Sequence, residues 1–219
     1  MSTVAAPKKI NPLLAAYLAS LAAHPLRTKA ITTSVLQFVQ EVLATHLAGV
    51  PAQRVPKDAP LYAHALARAK INTKAPRMAL YGLCVSAPLS HTLVGLMQKL
   101  FAGKTGLGAK IGQLLVSNLV IAPMQVAVYL SCTAIINGAR TFDDVAKTVK
   151  AGFMSALRVT WMTLPLTIVI AQRYLASELW VPFINLVQFI TGTYFNTKLK
   201  KIRMHMEARA KKDEERKRD

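Results

Sequence analysis

The sequence predicts an all-α fold: a polytopic integral membrane helix bundle of about four to five membrane-embedded helices plus short interfacial helices. Three observations carry this expectation. The 219 residues are 53% hydrophobic and only 17% charged, yet the formal net charge is +18, so apolar blocks must alternate with basic ones. The apolar residues fall in runs of about 20 or more, the length that crosses roughly 30 Å of hydrocarbon. One such run, Arg77 to Phe101, holds Pro88, Ser90 and His91 at its centre. Such groups survive at bilayer depth only where protein or enclosed water satisfies them.

Taken in order, residues 1–9 form a flexible amino terminus, residues 10–196 one membrane-embedded helical domain, and residues 197–219 a basic cytosolic tail. Residues 10 to 24 suit a short interfacial helix, and Pro25 suits the first turn of the next one. A span from about Leu26 to Leu47 carries Gln37, Gln40, Glu41 and His46, so one side of it faces protein or water. Residues 48 to 77, with Pro51, Pro56, Pro60 and Pro76 among basic side chains, read as an exposed loop holding a short helix near Leu61 to Lys70.

The second span runs from Arg77 to Phe101 and the third from about Ile111 to Ile136, joined by a glycine-rich turn. Residues 141 to 152 place Phe142, Val145 and Val149 at helical spacing opposite Lys147 and Lys150, the pattern of an interfacial helix capped by Thr141. The apolar stretch from Phe153 to Tyr194 is one long tilted span with a re-entrant part or two helices. With four crossings, the termini share the side richer in Lys and Arg, which is the cytosolic side.

Composition and motifs exclude several function classes. Cys84 and Cys132 lie inside apolar runs and behave as small hydrophobes, not as a disulfide framework. The run Gly103-Lys104-Thr105 is no phosphate loop, because Gln98 stands where the motif needs glycine. Gly108 and Gly112 have the spacing of a close helix contact but sit at a span's entrance, where a turn is the plainer reading. No catalytic set, metal-ligand spacing or cofactor motif is present, so the chain is expected to be no enzyme, with no metal and no cofactor. The basic residues are scattered over loops without interleaved aromatics, which argues for membrane flanks and no nucleic acid.

What remains is a set of intramembrane polar candidates: Glu41, His91, Asn118, Gln125 and Arg158. Asn118 and Gln125, seven apart, share a face if their helix is regular. These groups line one aqueous path or act as interhelical glue. Pro88, Pro123 and Pro165 are expected kink positions, with Ser90 and His91 able to satisfy backbone groups freed at the first.

The stretch from Tyr17 and Leu18 through His24-Pro25 to Thr28 and Lys29 resembles the amino-terminal pattern of a known family. "APLSH" at 87 to 91, "VIAPMQ" at 120 to 125, "GFMSALRVTW" at 152 to 161 and "FINLVQFITGTYFN" at 183 to 196 follow in the same order. The family is that of the 22-kDa peroxisomal membrane protein, the peroxisomal membrane protein 2-like proteins, with relatives in the mitochondrial inner membrane. The chain departs from its tryptophan-proline signature at Leu164, Ile168 and Ala171, and Ser117 stands where an aspartate is usual.

The resemblance implies a multi-pass peroxisomal membrane protein, with the mitochondrial inner membrane as the alternative. It also implies a homo-oligomer in the lipid bilayer and a weakly selective channel for passive diffusion of small hydrophilic metabolites. A peroxisomal import receptor for membrane proteins is a further expected partner. The rival expectation is a non-conducting scaffold or organelle-organising protein that recruits partners.

Overall fold

The computed structural model describes residues 11–51, 60–69, 71–104, 106–175 and 179–216. Every regular element among them is helical. Helix α1 (Pro12–Ala23) begins where the Asn11 side chain accepts a hydrogen bond from the Leu13 amide at 2.9 Å. Helix α2 (Pro25–Ala48) starts on its proline and ends at Gly49, whose φ of 69° is left-handed. After the short α3 (Leu61–Arg68) come three long helices: α4 (Lys74–Leu100), α5 (107–136) and α6 (Phe142–Tyr174). Helix α7 (Trp180–Arg216) closes the chain.

Two prolines shape α4 and α5 in the same way. Each is preceded by a five-residue π-helical turn, Gly82–Ser86 before Pro88 and Ser117–Ile121 before Pro123. In the second, the Ala122 amide reaches back five residues to the Ser117 carbonyl. The next such bond would run to the Asn118 carbonyl from position 123, which is proline and has no N–H. The Trp161 indole Nε1 of α6 donates to that carbonyl instead, at 2.7 Å. Pro165, by contrast, lies inside an unbroken α6.

Three helical stretches are long and apolar enough to cross a membrane: Lys74–Leu100, Ile111–Ile136 and Phe142–Ala171. They form a ring with α2 and the first half of α7. Each of the five packs on the next, in the order α2, α4, α5, α6, α7 and back to α2. The outer surface exposes Leu43, Leu83, Leu115, Met162 and Ile190, among other large apolar side chains, while polar groups turn inward. That inverted distribution fits lipid as the solvent.

Two expectations are corrected, the separate interfacial helix and the count of four. The interfacial helix of 141–152 is not separate: capped by Thr141 Oγ1, which accepts from the Asp144 amide at 3.2 Å, it runs straight on as α6. Of the two forms expected for 153–194, the structure has the two helices, with Trp180 Nε1 donating to the Leu175 carbonyl across the break. Five helices form the ring where the sidedness argument counted four, so α2 and α7 run parallel and Pro12 and Arg216 lie toward opposite ends of it. The helix also passes through 196 without interruption, taking the basic residues to Arg216 with it.

Candidate functional site

The ring encloses a cavity of about 460 Å³ to which every one of its helices contributes polar side chains. From α2 come Lys29, Thr32, Thr33, Gln37 and Gln40, spaced so that all fall on one helix face. Ser86 and Ser90 of α4 and Gln125 and Tyr129 of α5 face them, with Thr160 and Thr163 of α6 and Asn185 and Gln188 of α7 opposite. Leu36, Leu89, Val126, Val159 and Phe189 fill the wall between.

The cavity has a mouth and a floor. Lys29 is exposed, and from it to the buried Gln40 the lining descends roughly 16 Å at the helical rise. Tyr17 of α1 stands at the mouth, where the Thr28 hydroxyl donates to the Ser20 carbonyl at 2.9 Å and ties α1 across the start of α2. At the floor, Tyr81 and Tyr129 meet edge to face with centroids 5.9 Å apart. Val126, Leu130, Ala156, Leu157 and Phe195 pack a dry layer beside them.

Immediately beyond Gln40 lies a buried ionic cluster joining α2 to α7. Glu41, 3% exposed, pairs with Lys200 Nζ through Oε1 and accepts from Asn196 Nδ2 through Oε2 at 2.9 Å. Lys200 also donates to the Thr45 hydroxyl at 3.2 Å. A carboxylate in a membrane helix demands such partners. Gln40 itself lies against α7, its Nε2 donating to the Phe189 carbonyl at 3.1 Å. Gly192 makes room for it, since a Cβ there would come within 2.5 Å of that nitrogen.

The structure therefore distributes the five intramembrane candidates unevenly. Gln125 lines the cavity, and Glu41 sits just under its floor, held by Lys200. His91 is half-buried outside the lining, although its neighbour Ser90 is within it. Arg158 is exposed on the outside of α6. Asn118 turns back to donate to the Leu114 carbonyl at 2.8 Å, so it and Gln125 do not share the cavity face. The π turn between them adds one residue and with it about 100° of rotation. At Pro88 the hydroxyl of Thr92, not Ser90 or His91, makes the local bonds, to the Pro88 and Leu89 carbonyls at 2.9 and 3.0 Å.

Gln37, Gln40, Asn185, Gln188 and Lys200 were not singled out as site residues. The first two were legible as the polar side of a span. Among the described residues, no three His, Cys, Asp or Glu side chains come together as a metal would need.

The chain is 48% identical over 191 residues to the Woronin body membrane protein wscA of Aspergillus fumigatus, which covers 87% of this chain and 78% of that one. The pattern of the Mpv17 / PMP22 family matches residues 134–196. The chain belongs to the Mpv17 / PMP22 family. A second relative in this family, the Woronin sorting complex protein of Neurospora crassa, is 44% identical over 87% of this chain, which spans only 58% of that protein's length. Peroxisomal membrane protein 2 of Bos taurus is 29% identical over 83% of this chain and 86% of its own. No solved structure matches the chain. As a member of the Mpv17 / PMP22 family with these apolar helices, it is an integral membrane protein.

Proposed function

We propose that this protein resides in the peroxisomal membrane and organises the membrane of Woronin bodies. The observation that carries the reading is the packed apolar floor. Among the described residues, Leu130, Leu157 and Phe195 pack as a buried apolar layer with the Glu41–Lys200 pair behind them, and such a layer opposes the passage of water and polar solutes. The names of the relatives at 48% and 44% identity support the organising role, and that of the bovine relative supports the peroxisomal membrane. The protein works in the bilayer as a homo-oligomer, is delivered by an import receptor for peroxisomal membrane proteins, and carries out no turnover chemistry. Expressing it in an Aspergillus fumigatus strain that lacks its wscA protein tests the reading. Recovery of Woronin bodies supports it, whereas correct placement in the peroxisomal membrane without recovery overturns it.

The polar lining favours a second reading, a weakly selective channel for small hydrophilic metabolites. Its floor would have to open. Liposomes holding the purified protein would release entrapped small solutes if it conducts, and retain them if the floor stays shut.

A further inference from the structure

We infer that the ring cavity is a binding site for small, uncharged, polyhydroxylated molecules. The lining is rich in hydroxyls and carboxamides from all five helices and, among the described residues, contains no carboxylate. The one cation among the described lining residues, Lys29, is at the exposed mouth. Below the floor, Glu41 and Lys200 neutralise each other. A charged guest reaching the interior would shed its water with no countercharge to receive it.

Hydroxyls and carboxamides each offer a donor and an acceptor, which is what a polyol presents in return. One acceptor is conspicuously open: Gln37 Oε1 is buried with no hydrogen-bond partner among the described residues. An alcohol O–H can donate to it; a carboxylate cannot. The apolar wall between the polar groups suits the C–H faces of such a molecule, and the volume leaves room for one of several carbons. Binding of this kind needs no path through the floor and holds under either reading above.

The test is calorimetric titration of the purified full-length protein in detergent micelles with two matched probes, xylitol and its carboxylate counterpart xylonate. Xylitol should bind with a millimolar Kd and xylonate about tenfold more weakly. Gln37→Leu should weaken xylitol about fivefold while leaving the melting profile in place. Should that variant misfold, Thr163→Val, nearly isosteric and on the opposite wall, takes its place. Equal affinity for the two probes overturns the inference, as does xylitol binding that neither substitution changes. Absence of heat with xylitol also overturns it, and leaves the cavity filled by water only.

Discussion

Trp161 illustrates how single residues hold this ring together. Its indole N–H occupies the carbonyl of Asn118 that Pro123 cannot reach. Trp161→Phe keeps an aromatic ring but leaves that carbonyl bare, and should lower stability by about 1–3 kcal/mol in a micelle unfolding titration. Glu41 matters more. With side chains only 4% and 15% exposed, it and Lys200 are not a surface pair. Glu41→Leu strands a buried ammonium and should cost about 3–5 kcal/mol, most of which Lys200→Leu added to it should recover. The sequence marked Glu41, because it is the sole acid in the first three spans. Lys200 was hidden in a run of cations that reads as a solvated tail. The legible clue was Asn196, four residues earlier and so on the same helix face.

Among the elements, α2 and α4 approach each other closely at Gly82. A Cβ on Gly82 would lie 2.9 Å from the Thr33 carbonyl oxygen, and that neighbour is backbone, so it cannot swing aside. Gly82→Ala should therefore destabilise by about 1–3 kcal/mol. Gly95 in the same helix has nothing within 4 Å of its added methyl, and Gly95→Ala should be neutral or slightly stabilising under the same unfolding assay. The spans themselves were readable from apolar length and flanking charge. The π turns were not, because the residues Gly82–Ser86 and Ser117–Ile121 have no composition that separates them from an α-helix. Periodicity assumes 3.6 residues per turn throughout, so every face assignment that crossed a π turn was off by about one position.

At the scale of the molecule, the ring of five has a consequence for orientation. Lys74, Arg77, Arg140 and Lys147 gather at the floor end, together with the cations of α7 from Lys198 onward. There the Asn137 side chain accepts from Lys74 Nζ at 2.7 Å, and its carbonyl accepts from Arg203 at 3.2 Å. At the mouth end the described helices place Arg27, Lys29, Lys99, Lys110 and Arg173, with Lys104 in the turn between α4 and α5. By the positive-inside rule the excess is expected on the cytosolic side, which would put the mouth, with α1, on the opposite side. In intact organelles a membrane-impermeant maleimide should modify Lys212→Cys in a cysteine-free background and spare Ala23→Cys until the membrane is permeabilised. Equal labelling of both before permeabilisation would put the two ends on one side.

The paired π turns carry a historical meaning as well. A π turn is a helix accommodating one residue too many, so each reads as a single-codon insertion that the fold absorbed without breaking a span. Deleting one residue between 82 and 86, or between 117 and 121, would rewind the helix and carry everything beyond it around by about 100°. Ser90 or Gln125 would then leave the cavity wall and a lipid-facing neighbour would replace it. Family members can thus diverge in what their cavities accept through gaps in alignment, with hardly a change in composition.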